Sequence, residues 1–313
     1  MKKVFKKGYL VLAIGCLLVL FGIGYYYLLT PFSCKKTTTY LYIDADDNYD
    51  SLVTKLMPLA SKHSYHAFCM LSRHSNLTKR VRTGRYAIEP STSTFTLFRH
   101  IKNGMQTPVS LTVPSVRTME DMAGVLGHKL QLDSTTLING LKDEAVCRKY
   151  GYDTTTIAAL FIPNTYDVYW NITLDGLLER LQKENKNFWN VQRMDKATRL
   201  KLTPNEVITL ASIVDEETAN NEEKPMIAGM YYNRLMLRNA EYPKGMPLQA
   251  DPTIKFAWKN FALKRIYNNL LHIHSPYNTY VNPGLPPGPI RVPSIAGIDA
   301  VLNMDHHNYL YMC

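Results

Sequence analysis

Five carboxylates fall within the fifteen residues ASIVDEETANNEEKP (211–225), directly after the apolar run VITLAS. A carboxyl group becomes a working acid near neutral pH only when its pKa is raised, and partial loss of water raises it. Local geometry decides which of the five can lose water. TPNE (203–206) is a helix start: Thr203 can cap, Pro204 takes the first helical position and Glu206 completes a capping box. The helix then runs through VITLASIVDEET, and Val207, Leu210, Ala211, Ile213 and Val214 form one broad apolar face. At about 100° per residue from Val207, Glu216 falls near about 180° and is expected in solvent. Glu217 falls near about 280°, between Leu210 and Ile213, and Asp215 near about 80°, on the opposite edge. Glu222 and Glu223 lie past TANN and suit the N-terminus of a following helix, where acids are favoured by the dipole. Glu217 and Asp215 are therefore the two candidates for a partly desolvated carboxyl.

The next segments supply a surface for a polar ligand. MIAGMYYNRLML (226–237) reads as a second amphipathic helix with Ile227, Met230, Tyr231 and Leu235 on one side. KGMPLQADPTIKFAW (244–258) carries Gln249 and Asp251 beside Pro252. SPYNTYVNPGLPPGPIRVPS (275–294) holds six prolines together with Tyr277, Asn278, Thr279 and Tyr280. A proline-stiffened loop with aromatic rings and amides is preorganised for sugars, which stack on rings and hydrogen-bond to amides. HIH (272–274) and DHH (305–307) lack a further ligand set at metal spacing, so no metal and no cofactor are expected.

The elements that must position these residues begin with the N-terminus. MKKVFKKGY carries four lysines and precedes LVLAIGCLLVLFGIGYYYLLT, an uncharged run long enough to cross a bilayer. Lysines ahead of the span place the N-terminus (1–8) in the cytoplasm and predict an uncleaved single-pass helix over 9–29, with the remainder outside the cytoplasmic membrane. A cleaved leader would need a shorter core and a small-residue cleavage site. AIGC (13–16) loosely matches a lipoprotein cleavage box, but the apolar run continues well past Cys16.

Three strand–turn–helix patterns follow, starting at Tyr40, Arg85 and Ser110. They predict a small α/β domain over 38–126, the third copy capped by Thr118 with Asp121. Residues 127–202 read as mostly helical, interrupted by LFIPNTYDVYWNIT (160–173), an ordered loop. The fold class is thus α+β. The five scattered cysteines show no paired spacing and read as isolated thiols. The net charge is +10, of which the four N-terminal lysines supply four. The remaining balance suits anionic envelope polymers, and no Arg/Lys stripe with interleaved aromatics points to nucleic acid.

The stretches LASIVDEET, IAGMYYNRL, GMPLQADPT, YNTYVNPGLPPGPI and, more loosely, FIPNTYDVY stand in one order across residues 160–302. With them the chain resembles the YceG-like, or MltG, family of membrane-anchored endolytic murein transglycosylases. The resemblance implies a catalytic domain over 127–313 and a preceding LysM-like domain over 38–126. It assigns the catalytic acid to Glu217, the glutamate just before Thr218, and puts Asp215 where the family usually has Glu. It implies one carboxyl acting first as acid and then as base, so that the muramoyl C6 hydroxyl closes onto C1 and leaves a 1,6-anhydro end. Gln249, Asp251, Tyr277, Asn278 and Tyr280 are then the expected substrate-binding residues. Peptidoglycan strands are the expected substrate and strand-polymerising synthases the implied partners. Two other readings stand beside this one: an anchored, non-catalytic murein-binding scaffold, and a hydrolase using Glu217 with Asp251. The sequence stops at MDHHNYLYMC, where the family typically continues; NYLYMC reads as a strand in want of a partner.

Overall fold

The computed structural model describes residues 2–312, with side chains from Leu10 onward. It divides into two compact units. One runs to Val109 and includes Tyr169–Asn171; the other comprises Ser110–Val168 and the chain from Ile172. The division falls before the third strand–helix pattern rather than after it, so that pattern belongs with the second unit.

The first unit opens with α1 (Lys2–Leu28). Its segment Leu10–Leu28 has a mean hydropathy of 2.1, is unburied, and is long and apolar enough to cross a membrane. The end of α1 is tied to the same unit by His63, whose ring stacks on Tyr26 at 4.4 Å and meets the Thr30 hydroxyl at 3.1 Å. Then follow β1 (Thr39–Ile43), α2 (Tyr49–Leu56), α3 (Lys62–Arg73), β2 (Gly84–Ile88) and α4 (Thr94–Asn103). β1 and β2 pair antiparallel, with Leu41 opposite Tyr86 and Ile43 opposite Gly84. The alternation works as period-2 patterning requires: Leu41, Ile43, Tyr86 and Ile88 are buried against Phe32, Leu52, Phe68 and Leu97, while Tyr40 and Tyr42 face outward. Burial pushes the Tyr86 phenol up to about 12. The three helices after α1 each begin on a side-chain cap: Asn48 for α2, Ser61 for α3 and Ser93 for α4.

The second unit comprises β3 (Val109–Val113), α5 (Met119–Gly127), α6 (Ser134–Lys142), α7 (Glu144–Lys149), β4 (Asn164–Val168), α8 (Leu174–Phe188), α9 (Val191–Arg199), α10 (Pro204–Glu217), α11 (Lys224–Met236), α12 (Asp251–Ala257) and α13 (Ile295–Leu302). The stretch read as an ordered loop contains β4, which pairs with β3; Ser110 and Thr112 reach Asp167 and Thr165 across the pair. Thr118 caps α5. Asp121 accepts the Thr118 hydroxyl rather than its N–H, because its side chain is one methylene shorter than the glutamate of a full capping box. The capping box expected at the start of α10 forms in full: Thr203 accepts from Glu206 N–H, and Glu206 accepts from Thr203 N–H at 2.7 Å.

Two cores fill this unit. One joins Leu111, Val113, Met122, Leu126, Leu141 and Tyr166 under α5, α6 and α8. The other surrounds α10, whose residues Val207–Asp215 are all buried against Ile227, Ala228 and Met230 of α11 and Ile298 and Val301 of α13. A helix apolar on every side belongs in the middle of a domain. Residues 308–312 form no strand. Their segment is held by side chains of α11 instead: Asn233 donates to the carbonyls of His307 (2.7 Å) and Tyr309 (3.1 Å), and Arg234 to that of Leu310 (2.6 Å).

Candidate active site

The last turn of α10 carries three consecutive acids into three surroundings. Asp215 points inward. Its side chain is 3% exposed, pairs with the 7%-exposed Lys224 at 2.8 Å, and accepts the N–H and hydroxyl of Ser294. Ser294 caps α13, so the carboxylate also lies at that helix's positive end. Gly297 allows the approach: a Cβ there would stand 2.4 Å from Asp215 Oδ1. Glu216 does not face solvent as its wheel position predicts. Its side chain is 8% exposed, and Oε1 accepts from Arg117 Nε and Arg291 Nη1, each at 2.8 Å. The wheel describes α10 alone, whereas both arginines come from distant segments that close over the helix end.

Glu217 opens into a cleft of about 390 Å³. Tyr231 of α11, itself buried, donates to Glu217 Oε1 at 2.5 Å. The carboxyl can be reached from the cleft but is crowded by its walls. This loss of water raises the Glu217 pKa, the Tyr231 hydrogen bond lowers it, and the nearby Asp251 charge raises it. The same pairing, with burial, holds the Tyr231 phenol far above its usual range. Arg234 lies beneath. Its guanidinium donates to the Leu248 carbonyl and rests 4.9 Å from the Tyr311 ring, which also lines the cleft.

The opposite wall brings in a second tyrosine–carboxylate pair. Tyr280 donates to Asp251 Oδ1 at 2.5 Å; burial and the Asp251 charge push the Tyr280 phenol up. Gln249 is exposed beside them with φ +51°, a left-handed conformation rare outside glycine and asparagine. Thr279 fixes that turn: its carbonyl accepts from Gln249 N–H, and its hydroxyl from Ala250 N–H. Glu223, at the start of α11, accepts from the Thr218 hydroxyl and the Asn220 amide. These bonds lower its pKa and hold it, exposed, at the rim of the cleft; at the N-cap position of α11 its side chain makes no capping bond.

Glu217, Gln249, Asp251 and Tyr280 thus converge, and Tyr277 and Asn278 do not join them. Asn278 is fully buried. Its amide donates to the carbonyls of Leu271 and Ile273, and its Oδ1 accepts from Tyr280 N–H, so it braces the loop that presents Tyr280. Tyr277 packs on Phe256, ring centroids 4.7 Å apart, and lines a different hollow. Tyr231, Arg234 and Glu223 escaped the sequence reading as site residues. The available signal was Tyr231 itself: a phenol on a buried helix face needs a partner for its hydroxyl. Among the described residues no group of three or more His, Cys, Asp or Glu side chains is arranged to hold a metal ion. His307 is engaged by the Met226 carbonyl and Tyr309 N–H. Cys16, Cys34, Cys69 and Cys147 are free thiols, and Cys313 lies outside the described residues.

This fold occurs in a crystal structure of a yceG-like protein from Listeria monocytogenes, with a TM-score of 0.54 and 24% identity, covering 88% of this chain and 93% of that one. The chain belongs to the YceG-like family, whose profile matches residues 41–313. It is 29% identical over 275 residues to a Streptococcus pneumoniae protein named endolytic murein transglycosylase, covering 78% of this chain and 48% of the relative. A Bacillus subtilis protein of the same name is 31% identical over 193 residues, covering 58% of this chain and 49% of the relative. The chain therefore spans about half the length of these relatives.

Proposed function

We propose that this chain carries the catalytic acid of an endolytic murein transglycosylase, and that Glu217 is that acid. The observation that carries the reading is one cleft carboxyl with a raised pKa, fixed by a buried tyrosine on one oxygen. Tyr231 donates to Oε1, so the transferable proton belongs on Oε2. From there Glu217 protonates the oxygen bridging N-acetylmuramic acid and N-acetylglucosamine. The glycosidic bond breaks, and the carboxylate takes the proton of the muramoyl C6 hydroxyl as O6 bonds to C1. The 1,6-anhydro product forms without water. Asp251, held by Tyr280, places negative charge toward the positive charge developing at C1, and Gln249 positions the sugar.

The names of the relatives support this substrate and reaction. The order β1–α2–α3–β2, with its strands antiparallel, supports a LysM-like, murein-binding reading of the first unit. The apolar helix supports a single-pass anchor, N-terminus in the cytoplasm, with the cleft outside the bacterial cytoplasmic membrane. Cleavage there would limit the elongation of nascent strands made by partner synthases.

Asp251 lines the same cleft, which keeps a two-carboxylate hydrolase in view. Digestion of purified glycan strands followed by mass spectrometry separates the readings. Anhydro ends are expected; reducing ends with added water would establish the hydrolase, and absence of cleavage would establish a scaffold.

A further inference from the structure

A second hollow, of about 470 Å³, lies behind the catalytic turn of α10 and has no part in the chemistry above. Arg117, Lys142, Lys259 and Arg291 line it, and Glu120 is the only carboxylate among its lining residues. That acid is paired with Lys142 at 2.7 Å. Glu216 faces the two arginines from α10, and its single Oε1 serves both guanidinium groups. Asp153 stands behind the wall at Thr155, its Oδ1 taken by Thr155 and Thr156. The Asp153 charge reaches Tyr277 in the lining, so the four cations exceed Glu120, Glu216 and Asp153 by one. Lys259 forms no ion pair within 4.0 Å among the described residues, though its charge acts on Glu120; Arg291 gives Nη1 to Glu216 and Nη2 to Ser115, and its buried Nε has no hydrogen-bond partner. The nine-residue α5 also begins here, its N-terminus capped by Thr118 and faced by Glu120 and Asp121 in its first turn. The remaining wall is apolar and aromatic, with Leu141, Phe256, Phe261 and Tyr277.

Guanidinium forks beside apolar rings suit a carboxylate on a small apolar residue better than a hydrated phosphate, which has nothing to place against those rings. Glu216 and Glu217 are consecutive, and Arg117 and Arg291 reach from Glu216 to the hollow, so the hollow and the cleft stand about one helix diameter plus one arginine side chain apart, on the order of 10–15 Å. Three to five extended residues at about 3.3 Å each cover that distance. We propose that this hollow binds the carboxylate-bearing peptide carried by a murein strand whose sugar occupies the Glu217 cleft. The inference rests on the murein reading and adds to it a second point of recognition, for peptide rather than sugar.

The test is calorimetric titration of the full chain in detergent with alanyl-γ-glutamyl-lysyl-alanine, and with the same peptide amidated at both carboxylates. The free acid is expected to bind saturably, and the amide at least about tenfold more weakly, as loss of the charge-assisted contacts dictates. Lys259→Asn removes a charge that is in no direct ion pair, and asparagine tolerates the φ of +51° at this position. It should weaken the free acid by about tenfold and leave the amide unchanged. Glu217→Gln should bind the peptide like the wild type. In cleavage assays Lys259→Asn should raise KM for peptide-bearing strands and not for peptide-free strands. Equal binding of acid and amide, no saturable binding of either, or indifference to Lys259→Asn would overturn the proposal. Inorganic phosphate competing as well as the peptide would also overturn it, in favour of a simple anion site. Cleavage with no peptide binding removes this proposal alone; peptide binding with no cleavage removes the catalytic reading.

Discussion

The inner side of the last turn of α10 and its cleft side hold carboxylates of one kind in opposite ways. Asp215 and Glu216 meet cations: Lys224 for the first, Arg117 and Arg291 for the second. Glu217 meets a neutral phenol. A cation beside a carboxylate ties it into the fold, whereas a phenol orients the carboxyl and leaves its second oxygen open to the cleft. Three adjacent acids therefore divide into two that join segments of the fold and one that opens to the cleft. The division is made by their partners rather than by the helix that carries them.

The largest expected effect is on the cleft side. Glu217→Gln should lower cleavage by about a thousandfold or more, within the range that general acid–base groups contribute, while the protein stays folded. Anhydro ends counted by mass spectrometry provide the measurement, and residual wild-type activity would erase the contrast. Next comes Asp215→Ala, which leaves Lys224 charged and unpaired in the interior. A loss of about 3–5 kcal/mol is expected in denaturant unfolding, because breaking a buried pair strands its partner.

Glu216→Gln should cost about 1–3 kcal/mol by weakening its contacts to both arginines, with cleavage by the folded fraction nearly unchanged. If it abolished cleavage as Glu217→Gln does, the two sides would not be functionally distinct. The smallest effect belongs to Tyr231→Phe. Removing a hydrogen bond that lowers the Glu217 pKa moves that pKa further up. A general acid works while protonated, so the alkaline limb of the kcat/KM profile should shift to higher pH. The maximal rate should fall about two- to tenfold, the worth of one hydrogen bond.

Linkage gives Glu217 a sign of its own. Its folded-state pKa is raised, so relative to the unfolded chain its contribution to stability is greatest in acid and declines as pH rises through the folded value. Glu217→Gln should therefore unfold at a higher temperature than the wild type at neutral pH, with the gap closing in acid.

What could be read in the sequence was chemistry closed within a few residues. The Thr203–Pro204–Glu206 start of α10, the apolar face of α11 and the edge position of Glu217 all rest on neighbours within one or two turns. What could not be read depends on contacts across the chain. Arg117 and Arg291 reach Glu216 from 99 and 75 residues away, and no wheel drawn on α10 contains them. Tyr277, Asn278 and Tyr280 are neighbours in one loop, yet the turn braced by Asn278 sends only Tyr280 into the cleft. The five-residue β4 lay hidden in a stretch punctuated by proline and asparagine, because its exposed–buried alternation is too short to stand out.

The burial of α10 on every side has a kinetic consequence. Residues Val207–Asp215 are shut in by α11 and α13, so their amides should exchange with solvent only when the whole second unit opens. Glu217 is anchored to that slowest-opening segment rather than to a loop. On heating, the geometry of the cleft should survive until the unit melts, and under the proposed function the half-life of activity should equal the half-life of the fold.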